Sequence, residues 1–323
     1  MMKYFKWGCA ARGKARLRLR RLRRLPLAVC ALVFFLAPAG CAGRRAGEAD
    51  DGKLRVCASF YMMYDLCEKV GGGRINLFCL TPSGTEPHDW EPAPSDIITI
   101  GSADVFVYHG GVEFWADRAL AAVSNAKLTV VRASDAAVPD GLGDDPHTWL
   151  DPKLAKLELG EIASAFALAD PGNENYYREN FSYWSSELDK LDDAYRDALA
   201  GAEGMYIVVS HEAFGYLCAA YGLTQTAVEG LSPDSEPSAG RIARIIDLMR
   251  ENGIKTVFYG ALTSPKAIEQ IAEATGAEAA VLDPIEGLTA EGAQNGDDYF
   301  SIMYRNLDAL RKAAELRCIE PWR

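Results

Sequence analysis

A chain of 323 residues is long enough for two domains of ordinary size, each with its own hydrophobic core. Its formal net charge of −11 excludes nucleic acid as a partner and argues against binding to anionic lipid, because both are negatively charged. The acidic balance is compatible with a cation as the ligand.

Residues 1–40 differ in composition from the rest of the chain. They contain ten Lys and Arg and no acid, followed by LPLAVCALVFFLAPAG, an apolar run too short to span a membrane, so we predict an export signal. Without those ten basic residues the excess of acidic over basic residues grows from 11 to 21.

Cys41 follows Ala39-Gly40 and resembles a bacterial lipoprotein processing site, although Pro38 stands where such sites usually have leucine. We therefore expect Cys41 to carry lipid and to tether the mature chain to a membrane surface without inserting it. Residues 41–52 are small and polar, which predicts a flexible tether.

From Leu54 onward, short apolar strands alternate with amphipathic helices. This alternation over 53–170 and again over 203–323 predicts an α/β fold of two lobes, each with a parallel β-sheet flanked by helices. The predicted strands are LRVCASF, INLFCL, VFVYHGG, KLTVVRA, GMYIVVS, TQTAVEGL, KTVFYGA and EAAVLDP. Ser95 is the expected N-cap of the helix that follows the second strand.

The longest helical stretch runs from Asn173 to Gly201 and predicts a rigid connector between the lobes, which we place at 171–202. Its apolar residues recur at spacings of three and four and so share one face. They are Tyr177, Phe181, Trp184, Leu188, Leu191 and Tyr195. The alternative is a long surface helix within one domain.

Three of the four histidines lie at strand ends or in Pro- and Asp-rich loops. His88 lies in GTEPHDWEPAPSD, His147 in GLGDDPHTWLDP, and His211 directly after GMYIVVS, while Asp283 ends the last strand. Open α/β sheets bind ligands at the carboxyl ends of their strands. Three imidazoles and a carboxylate suit zinc better than magnesium or calcium, which prefer oxygen ligands.

Other polar residues have supporting roles in this interpretation. Four carboxylates could orient the imidazoles: Glu86, Asp144, Asp145 and Glu212. His109, followed by two glycines, is either a fifth contributor or a hydrogen-bonding residue, and the second role is favoured.

Five cysteines remain outside the leader and the proposed lipid site: Cys57, Cys67, Cys79, Cys218 and Cys318. Their number is odd, so at least one thiol is free, and their spacings match no zinc pattern. Cys57 and Cys79 fall in two predicted neighbouring strands and could pair, but buried apolar thiols are the default.

An ordered set of strings carries a resemblance to a known family. GTEPHDWEPAPSD, ADVFVYHGGVEFW, DDPHTWLDP, SHEAFGYLCAAYGL, LSPDSEPSAGRI and VLDPIEGL resemble the zinc/manganese substrate-binding proteins of bacterial ABC importers, and the match covers nearly all of 53–317. The resemblance implies two α/β lobes joined by one long rigid helix, with the metal in the cleft between them. It also implies an extracytoplasmic, monomeric protein that delivers its metal to an ABC permease and its ATPase.

Carried over residue by residue, the implied ligands are His88, His147, His211 and Asp283. In the manganese-type members of the family, the third of these ligands resembles a glutamate. In this chain it is His211, which favours Zn²⁺, and a manganese-type binding protein is the alternative. The chain lacks the His-rich acidic loop of many zinc-type members. It also departs from the family at His109, where asparagine is frequent, and at Tyr259-Gly260, where a glutamate is common.

Two other classes of function compete with metal binding for transport. A zinc metallohydrolase needs an open coordination position to activate water, and Glu212 beside His211 could act as a base. The chain has no HExxH motif, and a fourth protein ligand at Asp283 would close the site, so we expect no enzyme. An adhesion or structural role would need exposed repeats or aromatic patches, which the sequence does not offer.

Overall fold

The structure is a computed structural model that describes residues 51–138, 143, 145–231 and 237–317. The predicted export signal, Cys41, nearly all of the tether, Asp144 and Cys318 lie outside these ranges. Among the described residues, no helix combines the length and the apolar character needed to cross a bilayer.

The first lobe contains a four-stranded parallel sheet in the order β2-β1-β3-β4. Its strands are β1 (Leu54–Ala58), β2 (Ile75–Cys79), β3 (Val105–Tyr108) and β4 (Thr129–Arg132), and its helices are α1 (Tyr61–Gly71), α2 (Pro94–Ser102), α3 (Ala116–Ala122) and the short α4 (Ser134–Ala137). Every residue of β3 is buried, as expected for an apolar strand with helices on both faces.

The second lobe repeats this topology in the order β6-β5-β7-β8. Its strands are β5 (Tyr206–Val209), β6 (Thr224–Ala227), β7 (Thr256–Tyr259) and β8 (Glu278–Val281). Its helices are α7 (Gly215–Tyr221), α8 (Ala239–Asn252), α9 (Lys266–Thr275), α10 (Ala290–Asn295) and α11 (Tyr299–Arg317).

Two long helices follow, α5 (Pro152–Ala169), which packs on the first lobe, and α6 (Glu174–Ala198), which leads from the first lobe to the second. The 25 residues of α6 give it a length of about 37 Å. Its predicted apolar face is confirmed: Tyr177, Leu188, Leu191 and Tyr195 are buried, and Phe181 and Trp184 pack against the same core. One hydrophobic cluster runs from β1 through α5 and α6 to β5 and α11, and within it α6 packs against α1 and α5 on one side and α11 on the other.

The start of α2 differs from the predicted one. The helix begins at Pro94 with Ala93 as its N-cap, so Ser95 is not the capping residue. Proline fits the first helical position because it has no N–H to leave unpaired. The Asp96 carboxylate accepts the N–H of Ala93 at 2.8 Å and so closes the first turn.

Candidate metal centre

Three imidazoles from both lobes converge on one carboxylate oxygen. The Nε2 atoms of His88, His147 and His211 lie 3.1, 3.0 and 3.4 Å from Oε1 of Glu286. All four side chains are at most 3% exposed. Among the described residues, His88, His147 and Glu286 form a group whose ligand atoms all lie within 4.8 Å of one another.

These separations match those between ligand atoms around a tetrahedral zinc ion. Bonds of about 2.1 Å to nitrogen and oxygen place neighbouring ligand atoms roughly 3.4 Å apart. The three nitrogen–oxygen distances lie at or slightly below that value. A small outward movement of His88, His147 and Glu286 would admit the ion, whereas His211 lies outside their group of ligand atoms and contacts it through Glu286.

The strand ends position two of the imidazoles. His88 lies in the loop between β2 and α2, which begins with a turn in which Thr85 N–H donates to the Pro82 carbonyl at 3.1 Å. His211 lies two residues beyond β5, where Glu229 N–H donates to the Ser210 carbonyl and extends the parallel pairing past the strand end. Both residues therefore lie at the carboxyl edge of their sheets, as the sequence predicts.

Asp145 orients the third imidazole. Its Oδ1 atom lies 2.9 Å from both the backbone nitrogen and Nδ1 of His147. With Nδ1 held in this way, Nε2 is left for the metal. Burial lowers the pKa of His147, but hydrogen bonds to Asp145 and Glu286 outweigh it and raise the pKa to about 9.

Of the other carboxylates expected to orient imidazoles, only Glu86 lies against the site. Its Oε1 accepts the backbone N–H of His88 at 3.5 Å, while burial, followed by the charge of Glu286, raises its pKa to about 8. Among the hydrogen bonds of the described residues, none joins the Glu212 carboxylate to an imidazole. Asp144 lies outside the described ranges.

His109 lies in a buried polar network next to the site. Its Nε2 is 2.8 Å from Thr148 Oγ1 and 3.4 Å from Glu158 Oε1. Since Thr148 follows His147 directly, this network fixes the backbone beside the ligand. Within the described part of the chain, the group that could hold a metal does not include His109.

The carboxylate that meets the imidazoles is Glu286, and the structure does not bring Asp283 to them. Asp283 Oδ1 instead accepts the N–H of Ile285 at 2.8 Å. Burial is the largest influence on Asp283 and raises its pKa to about 6. Ile285 has a positive φ of 62°, which turns the chain and directs Glu286 towards the histidines. Glu286 is within the quoted string VLDPIEGL, but two carboxylates three residues apart cannot be distinguished by pattern alone.

The surrounding imidazoles determine the charge of Glu286. Burial alone would raise its pKa, but the charge of His211 together with hydrogen bonds from His147 and His88 holds it well below the usual value. The centre therefore offers an ionised carboxylate, which is the form that binds a cation.

The four cysteines that the structure describes take no part in this centre. Cys57, Cys67 and Cys218 are buried, Cys79 is exposed, and all four are free thiols. Although Cys57 and Cys79 lie on the paired strands β1 and β2, their register places Cys57 opposite Phe78. The possible disulfide between them is absent.

The fold and this site can be compared with known proteins. Residues 56–313 match the family described as ZnuA: Zinc-uptake complex component A periplasmic. The chain belongs to this family. Membership makes it a metal-binding component of a zinc-uptake system, and ZnuA-family proteins work with an ABC permease and an ATPase.

Individual relatives agree with the family match. The chain is 35% identical over 305 residues to the high-affinity zinc uptake system protein ZnuA of Bacillus subtilis, covering 88% of this chain and 96% of that protein. It is 32% identical over 293 residues to the zinc-binding protein AdcA of Streptococcus pyogenes, covering 82% of this chain and only 57% of AdcA. The chain thus spans little more than half of that relative.

A solved structure gives the same result for the fold. The Zn(II)-bound ZnuA-like domain of Streptococcus pneumoniae AdcA matches with a TM-score of 0.73 and 33% identity. The match covers 82% of this chain and all of that domain. The two-lobed architecture predicted from the sequence is therefore confirmed.

Proposed function

We propose that this ZnuA-family protein binds one Zn²⁺ through His88, His147, His211 and Glu286 and delivers it to an ABC permease. The observation that carries the proposal is the convergence of three imidazole Nε2 atoms on one buried carboxylate oxygen. Two of these ligands come from the first lobe and two from the second, so an ion held here would join the lobes across the cleft.

The ligand chemistry favours zinc over manganese. Three nitrogens and a carboxylate suit a four-coordinate zinc ion, whereas manganese favours more oxygen ligands. Changing His211 to Glu should lower the ratio of zinc affinity to manganese affinity. Zinc can remain the tighter binder of the two, since it lies above manganese in the Irving–Williams order.

The same shell argues against the metallohydrolase alternative. A catalytic zinc keeps an open position for water, while a structural or carried zinc is closed by four protein ligands. Four buried ligands from both lobes support a carrier. We therefore infer transport and not hydrolysis.

The remaining assignments complete the proposal. The lobes correspond to residues 53–170 and 203–323, and the connector to 171–202. The protein acts as an extracytoplasmic monomer, anchored by lipid on Cys41, and its partners are the permease and ATPase of a zinc importer. Replacing Cys41 with Ala should release the protein from the membrane fraction, and unchanged fractionation would overturn the lipid assignment.

Elemental analysis of the purified protein, followed by a competition titration with zinc, tests the central claim. We expect one zinc per chain and at least a hundredfold weaker binding in His88→Ala and in His211→Ala, one ligand from each lobe. Arg118→Ala, which removes an exposed side chain from the first lobe, is the control and should bind as wild type does. Absence of zinc binding in the wild type, or wild-type affinity in either histidine variant, would overturn the proposal.

A further inference from the structure

Trp149 belongs to the first lobe but is bonded to the second at two points. Its indole Nε1 donates to the Pro284 carbonyl at 2.8 Å. Its own backbone carbonyl accepts the hydroxyl of Tyr299, the first residue of α11, also at 2.8 Å. Trp149 is fully buried, so neither bond competes with water.

The indole ring also contacts the first-lobe part of the metal centre. It packs edge-on against His147 with a centroid distance of 5.3 Å, and against His109 and Phe60 at 4.9 and 5.5 Å. One side chain therefore touches a metal ligand of the first lobe and reaches the loop that carries the fourth ligand. Pro284 precedes Glu286 by only two residues.

That loop is held in an unfavourable backbone conformation. Among the described residues, Ile285 is the only non-glycine residue with a positive φ, and it is β-branched and fully buried. Such a conformation persists only where surrounding contacts impose it. Asn306 fixes the start of the loop through the Asp283 N–H and carbonyl, at 2.8 and 2.7 Å, and Trp149 holds the next carbonyl.

We propose that Trp149 is the positioning residue that fixes the Glu286 loop over the histidines. The inference rests on the proposed zinc site and adds a residue outside the ligand shell. Without the indole N–H, the buried Pro284 carbonyl loses its partner, which is unfavourable. The loop can then relax at Ile285 and move the Glu286 carboxylate away from the metal.

The test compares zinc affinity in Trp149→Phe and Trp115→Phe. Phenylalanine keeps a ring at position 149 but removes the N–H, and loss of support to a ligand typically weakens metal binding 10- to 100-fold. We expect that loss in Trp149→Phe. Trp115 is a matched control, because it is a buried first-lobe tryptophan whose indole nitrogen has no hydrogen-bond partner. Its replacement should leave affinity within about twofold of wild type.

A double-mutant cycle separates positioning from general stability. If Trp149 acts through Glu286, Trp149→Phe should have little effect on zinc affinity in a Glu286→Ala background. The d–d absorption of bound Co²⁺ provides a second readout, since Trp149→Phe should shift it towards the spectrum of Glu286→Ala. Should Trp149→Phe fold poorly, Tyr299→Phe removes the other second-lobe bond of Trp149 and enters the same cycle.

Each outcome has a defined meaning. Two results would overturn the role of Trp149 while leaving the zinc site intact. One is that Trp149→Phe weakens zinc binding as much in the Glu286→Ala background as in the wild type. The other is that Trp149→Phe leaves the Co²⁺ spectrum unchanged. Equal affinity of Trp149→Phe and wild type would do the same. A wild-type protein that binds no zinc would overturn the proposed function and this inference together.

Discussion

At the scale of single residues, the metal centre depends on which of two neighbouring carboxylates faces the histidines. Glu286 lies against three imidazoles, while Asp283 bonds to its own loop. We therefore expect Glu286→Gln to weaken zinc binding by at least a hundredfold and Asp283→Asn to change it by less than tenfold. Competition titrations of the two variants decide between them, and a larger loss in Asp283→Asn would restore Asp283 as the ligand.

The support given to His147 leads to a second prediction. Asp145→Asn keeps the size of the side chain but weakens its hold on Nδ1, so zinc affinity should fall 10- to 100-fold. Glu212→Gln is the matched control. Glu212 is also close to a proposed ligand in the sequence, but among the described residues its carboxylate has no bond to an imidazole. Isothermal titration of both variants should show a loss in the first alone; equal losses would contradict the assigned role of Asp145.

The convergence of three histidines could be predicted from the sequence, but the carboxylate that lies beside them could not. His88 and His211 are recognisable because they follow apolar runs that could only be strands. Choosing Glu286 over Asp283 requires the positive φ of Ile285, which no propensity assigns to a β-branched residue. The long-range hydrogen bond from Trp149 to Pro284 could not be predicted either, since nothing local in the sequence indicates it.

At the scale of elements, periodicity located the long helices and buried strands. The spacing of three and four along α6 indicates a helix, and the short apolar run of β3 between turn signals favours a buried strand. The short helices α4 and α10 were not predicted, because four to six residues are too few to show a period. The ends predicted for the long helix, Asn173 and Gly201, are accurate within a few residues, whereas at α2 Pro94 and Asp96 determine the start instead of Ser95.

The start of α11 provides a prediction about stability. Asp298 accepts the N–H of Ser301 at 2.9 Å and forms an ion pair with Lys69 of α1, also at 2.9 Å. Burial raises the pKa of Asp298, but the Ser301 N–H and Lys69 outweigh it, so the net pKa is lowered. Asp298→Asn retains the cap and removes the charge, and because the side chain is partly screened by solvent it should lower the free energy of unfolding at pH 7 by only about 0.5–1 kcal/mol.

The sign of the shift fixes the pH dependence of this effect. A carboxyl group with a lowered pKa in the folded protein stabilises it above the unfolded pKa of about 3.9, and this contribution is lost as pH falls through the folded pKa. Urea unfolding should therefore show the difference between wild type and Asp298→Asn at pH 7 and its near disappearance at about pH 2. Asp193→Asn, an exposed helical control, should show no difference, and an Asp298 effect that grew on acidification would contradict the assignment.

At the scale of the whole molecule, the proposed ligands come from two lobes, so metal binding should be coupled to global stability. Zinc that binds only the folded state should stabilise it by about 4 kcal/mol at a thousandfold excess over Kd. We expect zinc to raise the melting temperature in a single cooperative transition, and His88→Ala and His211→Ala each to shrink the rise. Calorimetry in which zinc stabilised one lobe alone, seen as two separated transitions, would show that the site does not span the cleft.

The four proposed ligands come from four separate stretches of the chain, and no two of them form a local motif. An unfolded chain must close three long loops to bring them together, so it has little affinity for zinc. A newly exported polypeptide therefore cannot trap the metal before both lobes have formed and met. Zinc binding therefore requires completed folding, and only folded molecules compete for the available zinc.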